Sequence, residues 1–275
     1  MATSTVKAHG AVMPAIGFGT SGLGTRAAES TAAALKAGYR HLDCARKYGT
    51  EEGVGEGIRA AKVPREEIFI TTKVSHENLR TADFARSTET SLRALGVGYV
   101  DLLLVHWPNP EIPLAETMEA LAQMKRQRLT RHVGVANFPS ALLEEAIRLC
   151  PEPLVADQVE YHAHLDQSKM LGTCRRHGMI LIAYCPLGRG RLMTDPVLTE
   201  IARAKGRSVA QIALRWLVQQ ANVVPIPRST DPKHLAENLD VFDFTLTPEE
   251  MADVAALKRA DARIANPKGR APEWD

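Results

Sequence analysis

The sequence has few cysteines and almost no excess charge. Its four cysteines, Cys44, Cys150, Cys174 and Cys185, are scattered among 275 residues without CxxC spacing. This spacing argues against a disulfide framework and against a zinc site, and we expect reduced thiols in the cytoplasm and no bound metal. The formal net charge is only +2 and Lys/Arg-rich runs are missing. Neither nucleic acid nor a membrane surface is therefore an expected partner.

Long apolar runs, targeting signals and linkers are also missing. No apolar run approaches the length that spans a bilayer, and residues 1–10 have neither the charged start nor the apolar stretch of a signal peptide. With 45% hydrophobic and 24% charged residues, the composition is that of an ordinary soluble protein. We expect a single domain over residues 1–275 and a monomer.

What the sequence does contain is a repeated alternation of short apolar runs and helical patterns. The predicted strands are Ala15–Gly19, His41–Ala45, Ile68–Val74, Asp101–Trp107, His132–Phe138, Leu154–Tyr161, Ile180–Leu187 and Val223–Ser229. Strands that alternate with helices predict a parallel α/β sheet, and eight such units close into a (β/α)8 TIM barrel. An open doubly wound sheet is the competing architecture.

Two elements are predicted outside the repeating units. Residues 6–14 indicate a short N-terminal hairpin, and an additional C-terminal helix is expected near Thr247–Arg259. Capping boxes at Ser208/Gln211 and Thr247/Glu250 mark helix starts.

A glycine-rich segment near the N-terminus suggests a different fold. Residues 17–22 match GxGxxG, and Asp43 follows at about the spacing of the Rossmann dinucleotide fingerprint. We reject that assignment because Pro14 would interrupt the central strand, where a missing N–H is poorly tolerated. A turn at the mouth of a barrel is the interpretation we favour.

Four ionisable residues stand at the downstream ends of three successive predicted strands. Asp43 and Tyr48 follow the second strand, Lys73 ends the third and His106 ends the fourth. Taken singly, they have structural alternatives, such as an ion pair for Asp43 and Lys73 or packing for Tyr48. The carboxyl ends of barrel strands face the active site, so together the four predict a catalytic site.

The segment around these residues resembles a known family. Residues 38–51, GYRHLDCARKYGTE, resemble the first signature of the aldo-keto reductases. The resemblance covers nearly the whole chain, through Thr71–Lys73, Asp101–Pro108, Gly134–Phe138, Asp157–His162, Ala183–Gly188 and Ile226–Thr230. Within the family the chain is most similar to the prokaryotic 2,5-diketo-D-gluconate reductases, and residues 271–275 resemble the type B members.

The resemblance implies a carbonyl reductase with Tyr48 as general acid, assisted by Lys73 and Asp43. It also implies that His106 positions the substrate carbonyl. A phenol titrates at about pH 10, and a nearby ammonium lowers that pKa and improves proton donation. A buried lysine stays charged only beside a carboxylate such as Asp43. The nicotinamide supplies hydride.

The resemblance further implies a site for the nicotinamide. Asn137 and Gln158 are expected to bind its carboxamide, because side-chain amides both donate and accept hydrogen bonds. Tyr184 is expected to stack on the ring, beside Leu187. The family commonly has serine where this chain has Ala136.

A second group of residues is implied to bind the 2′-phosphate and adenine of NADP: Arg228, Ser229, Thr230, His234, Glu237 and Asn238. A guanidinium beside a helix N-terminus suits a phosphate. His234 stands where many members have a second arginine, so we expect NADPH to be preferred over NADH, but only moderately.

The expected substrates are small polar carbonyls, such as 2,5-diketo-D-gluconate or methylglyoxal. Trp107 is implied as a pocket wall, and Ser21 and Ser75 stand where relatives often have aromatic residues. Lys268 and Arg270 could attract a carboxylate if the C-terminal segment folds over the mouth.

Two other functions remain open from the sequence. Lys73 at a barrel strand end could form a Schiff base, as in a class I aldolase. The chain could alternatively be a non-catalytic, nucleotide-binding regulatory subunit.

Overall fold

The computed structural model describes residues 4–275, in which ten strands and ten α-helices occur. The strands are β1 (Thr5–Ala8), β2 (Ala11–Pro14), β3 (Phe18–Gly19), β4 (His41–Asp43), β5 (Phe69–Val74), β6 (Val100–Val105), β7 (Thr130–Ala136), β8 (Leu154–Glu160), β9 (Ile180–Tyr184) and β10 (Val223–Pro225). The helices are α1 (Ala27–Ala37), α2 (Glu51–Ala61), α3 (Thr81–Leu95), α4 (Leu114–Arg126), α5 (Ser140–Leu149), α6 (Ser168–Arg176), α7 (Pro196–Lys205), α8 (Val209–Val218), α9 (Pro232–Leu239) and α10 (Pro248–Ala255).

Strands β3 to β10 form one parallel sheet in sequence order. The two outer strands meet, because the Gly17 N–H donates to the Pro225 carbonyl at 2.9 Å and the Gly19 N–H donates to the Pro227 carbonyl at 3.0 Å. The sheet is thus closed into a barrel. The predicted (β/α)8 architecture is confirmed, and the open doubly wound sheet is wrong.

The glycines of the GxGxxG segment have a structural task in this closure. A Cβ at Gly17 would lie 2.6 Å from Nδ1 of His41, and one at Gly19 would lie 2.9 Å from the Ile226 carbonyl oxygen. Both distances are too short for a real side chain. Glycine is needed here because neighbouring strands approach closely, which agrees with our rejection of a Rossmann turn.

The strands are buried on both faces. In β6 every residue is buried: Leu102 and Leu104 pack with the barrel interior, whereas Leu103 and Val105 pack in the larger core beneath the helices. This arrangement explains why the strand sequence is continuously apolar instead of alternating.

Elements outside the barrel also follow the predictions. β1 and β2 form an antiparallel hairpin that packs Ala8, Ala11 and Met13 against the barrel interior. Both capping boxes are formed, at the starts of α8 and α10. The C-terminal helix ends at Ala255, before the predicted Arg259, and β9 and β10 are joined by two helices, α7 and α8.

The four cysteines are free thiols. Among residues 4–275, none of the helices is long and apolar enough to cross a membrane. The same residues contain no group of three histidine, cysteine or acidic side chains arranged for a metal ion.

Candidate active site

A cavity of about 990 Å³ opens at the carboxyl ends of the barrel strands. Its lining includes nine of the predicted site residues: Asp43, Tyr48, His106, Trp107, Asn137, Gln158, Tyr184, Leu187 and Arg228. Lys73 lies beneath this lining and contacts it. Residues that are far apart in the sequence therefore meet at one end of the barrel, because each follows or ends a parallel strand.

Lys73 and Asp43 form a buried ion pair at the base of the cavity. The Lys73 ammonium donates to Asp43 Oδ1 at 2.5 Å and to the Cys44 carbonyl at 2.8 Å. Burial opposes a charged ammonium, but the Asp43 carboxylate together with Tyr48 and Cys44 outweighs burial, so the pKa of Lys73 lies above its ordinary value. The lysine is thus positively charged at neutral pH.

Tyr48 lies directly over this ammonium. Lys73 Nζ donates to the Tyr48 hydroxyl at 3.5 Å and lies 5.1 Å from the ring centroid. Burial raises the pKa of Tyr48 by more than the ammonium lowers it, so the pKa lies above its ordinary value. This net direction differs from the one we expected from the ammonium alone. The hydroxyl consequently keeps its proton at neutral pH and can donate it.

His106 faces Tyr48 across the cavity. The two rings meet edge to face, with centroids 5.6 Å apart. Burial, and after it the positive charges of Lys73 and Arg270, hold the pKa of His106 well below its ordinary value. The imidazole is therefore neutral at neutral pH, with one nitrogen available as a donor.

Two side-chain amides bond to the catalytic groups, and one of them, Asn137, also bonds to Tyr184. Gln158 Nε2 donates to Asp43 Oδ2 at 2.7 Å, and Asn137 Nδ2 donates to the His106 carbonyl at 2.9 Å. The Tyr184 hydroxyl donates to Asn137 Oδ1 at 2.8 Å. Asn137 has a φ of +63°, a left-handed conformation that asparagine tolerates better than most residues. These bonds fix both amides, and each amide has further donor and acceptor capacity.

The cavity continues from Tyr184 past Leu187, Arg189 and Gly190 to Arg228. The Arg228 guanidinium is exposed and donates to the carbonyls of Ser21 and Gly22, at 3.3 and 3.1 Å. Among the described residues it has no carboxylate partner. The far end of the cavity therefore contains a guanidinium without an acidic partner among the described residues.

Within residues 4–275, five other predicted cofactor residues lie outside the cavity lining: Ser229, Thr230, His234, Glu237 and Asn238. Ser229 Oγ accepts from the Asp231 N–H at 3.0 Å, and Thr230 Oγ1 accepts from Arg26 at 2.9 Å. His234 is exposed on α9, whereas Asn238 is buried beside Tyr39. Arg228 thus lies in the cavity, whereas the other five residues lie beside it, in the adjoining loop and in α9.

The sequence does not decide whether the C-terminal segment folds over the mouth of the cavity. In the structure, five of its residues line the cavity: Ile264, Ala265, Asn266, Pro267 and Arg270. Trp274 packs edge to face on Trp107, with ring centroids 6.0 Å apart. Lys268 and Ser75 do not line the cavity, whereas Ser21 does. In the sequence, the one indication that this segment is anchored is a tryptophan, Trp274, near the end of a polar tail.

Comparisons with known proteins agree on one family. The family model for the aldo/keto reductase family matches residues 15–259. The glyoxal reductase of Bacillus subtilis (strain 168) is 40% identical over 266 residues, which cover 96% of each chain.

Two solved structures are similar over nearly the whole chain. One, with the provisional name 2,5-diketo-D-gluconic acid reductase B, is 46% identical with a TM-score of 0.96, covering 99% of this chain and 98% of the other. The other, a single-residue mutant of Gox0644 in complex with NADPH, is 35% identical with a TM-score of 0.90, covering 97% of each chain.

Proposed function

Since the chain belongs to the aldo/keto reductase family, we propose that it reduces small polar aldehydes and ketones with NADPH, using Tyr48 as general acid. The observation that carries this proposal is the position of Tyr48, whose hydroxyl lies 3.5 Å from the charged Lys73 ammonium and whose ring contacts the neutral His106 ring edge to face in the cavity. A carbonyl oxygen placed there meets a proton donor and a hydrogen-bond donor together.

When bound, NADPH supplies the hydride. As negative charge develops on the carbonyl oxygen, the Tyr48 hydroxyl donates its proton and the His106 ring donates a hydrogen bond that fixes the oxygen. The Lys73 ammonium, 3.5 Å from the Tyr48 oxygen, stabilises the phenolate that remains. Asp43 keeps that ammonium charged. General acid catalysis of this kind contributes roughly 10²–10⁴-fold to the rate.

The lining of the cavity fits a nicotinamide dinucleotide. Asn137 and Gln158 offer amide groups for a carboxamide, and Tyr184 offers an aromatic face beside them. At the other end Arg228 has no carboxylate partner among residues 4–275, which suits it to a 2′-phosphate. We assign the nicotinamide to the first group and the phosphate to Arg228, with the residues of 229–238 nearby.

Polar groups around the catalytic end favour small polar substrates. Arg270 lies 5.8 Å from the centroid of Trp107 and, within the described chain, has no acidic partner. Ser21 adds a hydroxyl where an apolar wall would otherwise stand. Dicarbonyls such as glyoxal or methylglyoxal and keto sugar acids such as diketogluconate fit such a lining. The glyoxal reductase and diketogluconic acid reductase names of the relatives support the same class.

The two other functions find no support. A Schiff base requires a neutral amine, whereas Lys73 is held charged by the carboxylate 2.5 Å away. A purely regulatory role would not require the complete set of Tyr48, Lys73, Asp43 and His106. We also propose a single domain, since one continuous core extends beneath the helices, and we propose that the protein is a monomer.

The proposal is tested by measuring the oxidation of NADPH with glyoxal, methylglyoxal, diketogluconate, a steroid ketone and an aromatic aldehyde. We expect the polar substrates to give the highest kcat/KM. Tyr48→Phe is expected to lower kcat by about 10²-fold or more while the Kd for NADPH stays close to that of the parent. Retention of most of the turnover in this variant would exclude Tyr48 as the acid.

A further inference from the structure

We propose that Glu160, which does not line the cavity, is a positioning residue that fixes the C-terminal wall of the active site and thereby sets the affinity for substrate. The effect on substrate affinity rests on the proposed reductase function, whereas the anchoring of the wall does not. The wall consists of residues 264–270, most of which line the cavity beside Tyr48 and Trp107.

Glu160 is a fully buried carboxylate at the end of β8. Its Oε1 accepts from the Ile264 N–H at 2.8 Å, and its Oε2 accepts from the Ala265 N–H at 2.7 Å. His162 Nε2, also buried, lies 3.0 Å from Oε1. Two adjacent backbone amides of the wall are thus held by one side chain of the rigid barrel.

The carboxylate is well suited to hold these amides. Burial opposes its charge, but the hydrogen bonds from His162, Ala265 and Ile264 outweigh burial and hold the pKa of Glu160 below its ordinary value. The group is therefore ionised at neutral pH, and hydrogen bonds to an ionised acceptor are about twice as strong as neutral ones.

Glu160 fixes the segment where it enters the cavity wall, and other contacts hold it farther along. Trp274 packs on Trp107, and the Asp275 side chain accepts from the backbone N–H and the hydroxyl of Ser140, at 2.9 and 2.7 Å. Between these anchors, residues 266–270 cross the cavity with a local turn from Pro267 to Ala271. Trp274 Nε1 donates to Asn266 Oδ1 at 3.0 Å, which is a bond within the segment, and the Arg270 guanidinium lies 5.8 Å from the Trp107 ring centroid. Glu160 therefore supplies the hydrogen bonds that tie the start of this crossing to the barrel.

The test is Glu160→Gln, compared with Asp101→Asn as a matched control. Asp101 is also a buried carboxylate, and it accepts from the Ile70 N–H at 2.9 Å and from Arg65 at 2.8 Å. It lies at the opposite, amino end of the strands. Both variants lose charge-assisted hydrogen bonds inside the protein, but only Glu160→Gln releases the wall.

For Glu160→Gln we expect hydrogen exchange at the amides of Ile264 and Ala265 to rise by at least about tenfold, because a charge-assisted bond is lost. We expect KM for glyoxal to rise by about tenfold with a much smaller change in kcat, and the Kd for NADPH to stay within about twofold. Asp101→Asn should leave the two amides and KM unchanged.

Ala265→Pro provides a second route, since proline removes the N–H that donates to Glu160 Oε2 and leaves the buried carboxylate in place. It should raise KM like Glu160→Gln, and the double variant should show less than the sum of the two effects. Unchanged exchange in Glu160→Gln, or an equal rise of KM in Asp101→Asn, would overturn the proposal. A parent without carbonyl reduction would refute the proposed function, while the exchange data would still decide whether Glu160 anchors the wall.

Discussion

Replacing Asp43 by asparagine tests the central electrostatic claim about the site. The carboxylate is the only acidic group that the Lys73 ammonium contacts among the described residues, at 2.5 Å, and both side chains are almost fully buried. Asp43→Asn keeps the shape but leaves a buried charge unpaired. Breaking a buried pair by removing one partner costs about 3–5 kcal/mol, a large share of the roughly 5–15 kcal/mol by which domains are stable.

The stability deficit of Asp43→Asn should depend on pH, because the pKa of Lys73 shifts in opposite directions in the parent and in the variant. In the parent, the raised pKa of Lys73 stabilises the fold below the ordinary pKa of lysine, and that contribution is lost as the pH rises through the folded value. In Asp43→Asn, burial is no longer opposed and the pKa of Lys73 falls. The variant should therefore gain stability as the pH rises, so its deficit is largest near pH 7 and shrinks by about pH 9.5.

Urea denaturation of the parent and Asp43→Asn at the two pH values measures the effect. The double variant Asp43→Asn/Lys73→Met serves as the control, because it removes the orphaned charge and should recover much of the stability but none of the activity. A deficit below about 1 kcal/mol at pH 7, or a double variant no more stable than Asp43→Asn, would refute the reasoning.

Three further predictions concern Asp157, Arg228 and His234. Asp157 is fully buried without a hydrogen bond of normal geometry, and burial raises its pKa well above its ordinary value despite the nearby Phe138 N–H. The contribution of Asp157 to the stability of the parent is therefore lost as the pH rises above about 4. Asp157→Asn should be more stable than the parent at pH 7, by about 1.4 kcal/mol for each unit by which the pKa of Asp157 is raised. Near pH 3 the two proteins should be equally stable in thermal unfolding. Arg228→Ala should lower kcat/KM for NADPH by about tenfold with little change for NADH, and His234→Arg should raise the preference for NADPH, since arginine is always charged. Equal kcat/KM values with NADPH and NADH in the parent, in Arg228→Ala and in His234→Arg would contradict the assignment of Arg228.

The barrel was predictable because its signals are local and repeated. Eight apolar runs separated by helical patterns specify a parallel sheet, and every strand-end residue then points to one face. This is why Asp43, Tyr48, Lys73 and His106 could be placed together without any knowledge of contacts between them. The helix starts at Ser208 and Thr247 were also predictable, because a capping box is formed within four residues.

The C-terminal wall could not be predicted in the same way. Its position depends on contacts over long sequence separations, such as those from Glu160 to Ile264 and from Trp107 to Trp274. No periodicity accompanies a segment without regular secondary structure. For the same reason the sequence did not distinguish Arg270, which lines the cavity, from Lys268, which does not.

The pKa of Tyr48 shows a different limit of sequence reasoning. The sequence places a lysine near the tyrosine, and that pair alone predicts a lowered pKa. Burial acts in the opposite direction and is larger in the folded protein. The sign of the net shift thus depends on how far folding removes the tyrosine from water, which only the tertiary structure shows.

The same ammonium also explains why Tyr48, and not His106, is assigned as the proton donor. Lys73 lowers the pKa of both side chains, but with opposite consequences. For the phenol, the positive charge stabilises the anion that remains after donation. For the imidazole, it destabilises the cation that would have to exist before donation, and burial adds to this effect. At neutral pH His106 is therefore restricted to donating a hydrogen bond, while Tyr48 holds a proton whose loss Lys73 favours. The two residues differ in role because of the charge beneath them.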